Sequence, residues 1–247
     1  MPRFEDRAES ALRPWRFETN YLPHAEGSVM VHSGVTRVLC ACSLEERQPP
    51  WMKDGERGWV KAEYAMLPRA THQRSRRDFG NSNGRTHEIQ RLIGRSLRGV
   101  TDLPALGPRT LTVDCDVIVA DAGTRTASIT GGWVALALAC HKLLEQGKIA
   151  RLPFQHQVAA ISLGIVDGQV LTDLDYTEDS RAGTDLNLVM TSDGGLIEVQ
   201  GTAEHGSFSR RELDAILDAG WVALEQLFAL QREALEQAGV GWNRAAV

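Results

Sequence analysis

The chain has 247 residues, 43% of them hydrophobic, and a formal net charge of −5. That supports a substantial core, in one large domain or two closely packed halves. The negative total argues against nonspecific nucleic-acid binding by the surface as a whole. No apolar run approaches the roughly 20 residues needed to cross a bilayer. The charged opening MPRFEDRAES lacks the apolar stretch of a signal peptide, so a cytoplasmic location is expected. Four cysteines (Cys40, Cys42, Cys115, Cys140) lack zinc-knuckle spacing and sit among apolar neighbours, which predicts buried free thiols.

Residues 1–26 read as irregular, with turns at Arg13-Pro14 and Leu22-Pro23. Gly27–His32 and Thr36–Ser43 alternate about Ser33-Gly34 as a hairpin. A loop follows, then a strand over Trp59–Met66 closed by Pro68. Between Arg69 and Arg98 stand eight arginines against Asp78 and Glu88, a local balance of +6 that leaves −11 elsewhere. A compact basic patch on an acidic body suits a localised polyanion site, although a solvated charged helix and loop would read the same way. After a glycine- and asparagine-rich stretch to Gly84, Ile89, Leu92, Ile93 and Leu97 form a helical stripe. Arg91, Arg95 and Arg98 share one face of that helix, and Arg85 stands at its entrance.

Leu111–Ala120 is rich in β-branched residues and reads as a strand. It breaks at Asp121-Ala-Gly123 and leads into a helix, apolar on every side through Trp133–Cys140, that should be buried. A strand that ends in glycine and enters a helix offers free amides and the positive end of a dipole to an anion. Thr124 adds a hydroxyl there and Arg125 a planar two-pronged donor. A capped core helix with a surface arginine would account for the same residues. Val158–Val166 and Gln169–Asp173 pair about Asp167-Gly168, and Asp185–Met190 and Gly195–Gln200 about Asp193-Gly194. Ser209 and Glu212 form a capping box that opens a long helix towards Glu236. The expected class is α+β: a single domain over 1–247 with two βαβ-type halves, approximately 14–103 and 104–240, built from mixed sheets and packed helices.

Asp179 and Asp185 fall on the connection between the last two hairpins. Hard oxygen donors of that kind suit Mg²⁺, although loops between strands are commonly acidic. Asp114 and Asp116, on one strand face, could tempt a metal assignment.

Six segments carry a resemblance: His24–Ser28, Ala62–Arg69, Gly84–Ile93, Asp121–Gly131, Glu178–Ser180 and Ile197–Glu204. In this order and spacing, from about Pro14 to Leu230, they resemble the bacterial ribonuclease PH family. The resemblance implies a phosphate-dependent 3′→5′ exoribonuclease, a tRNA nucleotidyltransferase. Such an enzyme trims 3′ ends of tRNA precursors and other structured RNAs, ribosomal RNA included. It releases nucleoside 5′-diphosphates by phosphorolysis, and the reverse reaction adds nucleotides. It also implies that Arg85, Gly123, Thr124 and Arg125 bind phosphate and that Asp179 and Asp185 are the catalytic, metal-holding pair. Arg69, Arg74, Arg76 and Arg77 would guide the RNA. The resemblance offers Asp114 and Asp116 no role, which leaves them structural or supporting carboxylates. Inorganic phosphate as co-substrate, Mg²⁺ (or Mn²⁺) and a homo-hexamer built as a trimer of dimers complete what it implies. The alternative within the same resemblance is a catalytically silent RNA-binding subunit of an exosome-like ring.

Overall fold

A computed structural model describes residues 3, 6–52, 55–77, 84–204 and 206–241. Asp78 and the glycine- and asparagine-rich residues 79–83 lie outside the described residues. Among the described residues nine strands form two sheets. The first holds β1 (Trp15–Thr19), β2 (Gly27–Ser33), β3 (Thr36–Glu45), β4 (Trp59–Met66) and β5 (Thr110–Val119), in the order β1-β2-β3-β5-β4. The second holds β6 (Val158–Val166), β7 (Gln169–Thr172), β8 (Thr184–Thr191) and β9 (Leu196–Ala203), in the order β7-β6-β8-β9.

The α+β class holds, with three differences from expectation. β1 lies in the stretch read as irregular; it pairs antiparallel with β2, Trp15 opposite Ser33, and too few of its five residues are apolar to signal a strand. The βαβ unit occurs once. β4 and β5 are parallel and joined through α1 (Gly84–Gly99) and the short α2 (Leu103–Leu106), whereas every pairing in the second sheet is antiparallel. Finally, β5 pairs with β3 and β4, so hydrogen bonding divides the chain beyond β5 rather than at 103/104.

The two sheets share α3 (Thr124–Glu145), which packs on β2, β3 and β5 of one and β6 of the other, and against α1 and α5 (Arg210–Gln237). Sixteen of its 22 residues are buried, the outcome its all-round apolar surface predicts. By length and composition α3 could cross a bilayer, contrary to the expectation that no apolar run is long enough. In this fold it is instead the core helix. Gly131 permits its approach to the sheet: a Cβ there would stand 2.1 Å from Val31 Cγ2. The four thiols are free and buried, as expected: Cys140 lies on this helix, Cys40 and Cys42 on β3 and Cys115 on β5. α5 begins at the predicted Ser209/Glu212 capping box and buries one face.

Candidate active site

The turn before α3 is a built feature. Ala122 and Gly123 both take positive φ (56° and 63°), the conformation that turns the strand sharply into the helix. Thr36 holds the turn from β3: its Oγ1 donates to Ala122 O (2.8 Å) and accepts from Asp121 N (2.9 Å). Arg13 holds it from below, donating to Asp121 O (2.6 Å) while its other nitrogens reach Asp173 Oδ1 at 2.7 and 3.1 Å. Trp15 Nε1 also donates to Asp173 (2.9 Å). Gly123, the N-cap residue of α3, offers no side chain to cap the helix, so its first-turn amides stay available to an anion. A Cβ at 123 would lie 2.8 Å from Arg13 Nη2, a second reason for glycine.

Thr124 and Arg125 are preset by neighbours that sequence reasoning gave no role. Tyr64 OH and Thr124 Oγ1 are 2.9 Å apart. Burial raises the Tyr64 pKa against the pull of that hydrogen bond, so the phenol stays neutral and able to donate. Arg125 Nη1 donates to Gln200 Oε1 (2.7 Å) and lies 3.6 Å from Glu88 Oε1, which itself accepts from Gln200 Nε2 (2.9 Å). Gln200 comes from β9 and Glu88 from α1, so both sheet layers fix one guanidinium. Both residues stand inside segments that carry the resemblance; only the pairing of distant elements reveals what they do.

Asp179 ends a helical turn, α4 (Tyr176–Asp179), rather than lying on an open connection. An Asp175/Glu178 capping box closes that turn. Buried Glu178 is drawn away into Arg3 and Arg7, at 2.6 and 3.1 Å, leaving Asp179 on the other side. Asp185 sits on β8 opposite Gly164 of β6 and Thr202 of β9.

These parts meet. Arg85, Gly123, Thr124, Arg125, Asp179 and Asp185 line one cavity of about 550 Å³. A smaller one of about 360 Å³ continues past both aspartates to Glu204. Burial, then the neighbouring Asp179, pushes the Asp185 carboxyl up to about 6. Burial also raises Asp179, while Arg125 and Arg85 pull it down. Among the described residues neither carboxylate has an ion-pair partner, and no group of three or more His, Cys, Asp or Glu stands ready to hold a metal. Asp114 and Asp116 lie outside the cavity.

Arg69, Arg74, Arg76 and Arg77 are not brought into it. All four are exposed on the segment whose Thr71, His72 and Gln73 form the cavity edge, and Arg69 donates to His72 O (2.9 Å). Nor is the basic helix face a free stripe: Arg95 pairs with Glu198, and Arg98 lies 4.5 Å above the Trp59 ring and donates to Val60 O.

Residues 11–141 match the model of the 3′ exoribonuclease family, domain 1, and residues 156–221 that of its domain 2. The two segments part where α3 ends. The chain is 52% identical over 236 residues to ribonuclease PH of Bacillus cereus (strain AH187) and to that of Bacillus anthracis (strain CDC 684 / NRRL 3495). Each alignment covers 94% of this chain and 96% of the relative. Among solved structures it resembles rice (Oryza sativa) Rrp46, with a TM-score of 0.77, 21% identity, and 94% of this chain and 99% of that one covered. It also resembles a chain of the Archaeoglobus fulgidus exosome with RNA bound to the active site, with a TM-score of 0.77, 20% identity and 91% of both chains covered.

Proposed function

The chain belongs to the 3′ exoribonuclease family of ribonuclease PH and is a phosphate-dependent 3′→5′ exoribonuclease; we propose that phosphate and the RNA end react in the cavity at the α3 N-terminus. One observation carries this reading: the cationic and amide donors line the same cavity as the two aspartates. Attack of the phosphate anion on an anionic phosphodiester is opposed by repulsion. Arg85, Arg125, the Thr124 hydroxyl and the α3 amides would offset that repulsion and hold phosphate in line with the terminal phosphodiester. A phosphate oxygen bonds to the phosphorus of the last nucleotide, and the bond to the 3′ oxygen of the preceding nucleotide breaks. The products are a nucleoside 5′-diphosphate and an RNA one residue shorter. The departing 3′ oxygen takes up a proton, either the one the attacking hydrogen phosphate carries or one from solvent.

The donor set also suits a divalent cation. Two half-buried carboxylates with no ion-pair partner among the described residues, beside a phosphate seat, match the one or two carboxylates Mg²⁺ takes. Asp179 and Asp185 would hold Mg²⁺ (Mn²⁺ in its place), which when bound supplies neutralisation of charge at the scissile phosphate and leaving oxygen. Arg69, Arg74, Arg76 and Arg77, outside the cavity, would draw in a single strand through its phosphates without reading bases. We propose tRNA precursors as substrates, a homo-hexameric ring as the assembly and the cytoplasm as the setting; four unpaired thiols suit a reducing compartment.

The test is product analysis of a 3′-extended tRNA digested with and without phosphate. Nucleoside diphosphates that appear only with phosphate are expected; monophosphates released in phosphate-free buffer would overturn the mechanism. The silent-subunit alternative requires purified protein to leave RNA intact in both buffers.

A further inference from the structure

One polar atom at the cavity wall is buried and unpartnered among the described residues. Ser162, on β6, is 3% exposed and lines the cavity, and its Oγ has no hydrogen-bond partner among the described residues. A hydroxyl has one hydrogen to donate and two lone pairs, and burying it unpaired is unfavourable, so such atoms call for a specific explanation. Ser33, Thr112 and Thr172 also carry unpartnered buried hydroxyls, but none of them lines this cavity.

The surroundings say what Ser162 faces. A Cβ built on Gly123 would stand 3.6 Å from Ser162 Oγ, so the hydroxyl looks across the missing side chain towards the turn that opens α3. Its strand position is fixed from both sides. Ser162 pairs with Asn187 of β8, which also lines the cavity, and its carbonyl accepts from the amide of Asp173, the carboxylate that anchors Arg13.

We propose that Ser162 donates its hydroxyl hydrogen to an oxygen of the inorganic phosphate held at Gly123-Thr124-Arg125, an inference that rests on the phosphate seat assigned above. The donors of α3 and Arg85 stand at helix entrances; Ser162 reaches the anion from a strand of the second sheet. A tetrahedral anion gripped from one side can still rotate. A donor from another direction fixes which oxygen faces the scissile phosphorus.

Steady-state phosphorolysis of a 3′-extended tRNA, with phosphate and RNA varied separately, tests it on Ser162→Ala, Ser162→Thr and Arg125→Ala. Ser162→Ala should raise the KM for phosphate about 10-fold. Its effect on kcat and on the KM for RNA should be much smaller, and its thermal midpoint in phosphate-free buffer should not fall. Ser162→Thr, which keeps a hydroxyl, should recover most of the phosphate KM. A phosphate KM within twofold of the parent for Ser162→Ala, with Arg125→Ala strongly raised, would overturn the Ser162 contact alone. Unchanged phosphate KM in both variants would overturn the phosphate seat itself. A lowered midpoint with lost kcat at unchanged phosphate KM would mark Ser162 as structural and also overturn the contact, as would a Thr variant with parental midpoint and no recovery.

Discussion

Arg125 illustrates how a single side chain is readied for an anion. Gln200 and Glu88 occupy part of its fork and hold the rest towards the cavity, so little side-chain freedom remains to be lost on binding. Arg125→Ala should remove a charge-assisted contact of roughly 1.5–3 kcal/mol, raising the KM for phosphate about 10- to 150-fold in initial-rate assays. Tyr64→Phe should act more gently. It removes the donor that leaves the Thr124 hydrogen free for the cavity, a neutral bond of about 0.5–1.5 kcal/mol, and so a rise of about 2- to 12-fold in the same KM. Arg85, Thr124, Arg125, Asp179 and Asp185, which share one cavity, could be singled out from sequence because they stand at helix entrances or on an acidic connection and the family resemblance assigns them roles. Gln200, Tyr64 and Ser162 could not, because their meaning depends on strand register across two sheets. Glu178 and Asp179 make the same point: adjacent carboxylates, one committed to Arg3 and Arg7, the other turned to the cavity.

The elements were easier to read than their partners. The hairpins about Asp167-Gly168 and Asp193-Gly194, the capped α5 and the buried α3 follow from turn chemistry and periodicity. The parallel pairing of β5 with β4, and its membership of the first sheet, do not: nothing local in Leu111–Ala120 specifies which strands lie beside it. Gln231 shows what joins the elements. Fully buried on α5, its Nε2 donates to Thr130 O of α3 (2.9 Å) and Val158 O of β6 (3.0 Å), and its Oε1 accepts from Gln157 Nε2 (3.1 Å). Truncating it leaves polar groups without partners inside the core. Gln231→Ala should therefore lower unfolding free energy by about 1–3 kcal/mol, read as an earlier urea midpoint at unchanged slope.

For the molecule as a whole, charge is divided by task. The chain is net acidic, while exposed arginines gather on the segment that edges the cavity. Replacing Arg74, Arg76 and Arg77 with Ala should weaken RNA binding and flatten its salt dependence by roughly 0.7 in the log–log slope per lost phosphate contact on a single strand. Titration of binding at several salt concentrations measures this, and an unchanged slope would remove these residues from the RNA path. The raised Asp185 carboxyl gives a pH signature. Because its folded pKa of about 6 exceeds the unfolded value, it favours the folded state below about pH 4, and that contribution is lost as pH rises through about 6. A cation bound there must displace the proton. The Mg²⁺ concentration for half-maximal activity should therefore fall as pH rises from 5.5 to 7.5; a flat dependence would take Asp185 out of the metal site.

The sealed thiols between α3 and the first sheet have a practical consequence. Burial raises the pKa of Cys40, Cys42 and Cys140, and all four sulfurs lie beyond the reach of solvent, so a chromogenic disulfide reagent should find nothing to label in the native protein. Labelling kinetics would then time the lifting of the central helix off its sheet, a built-in clock for how often this enzyme opens.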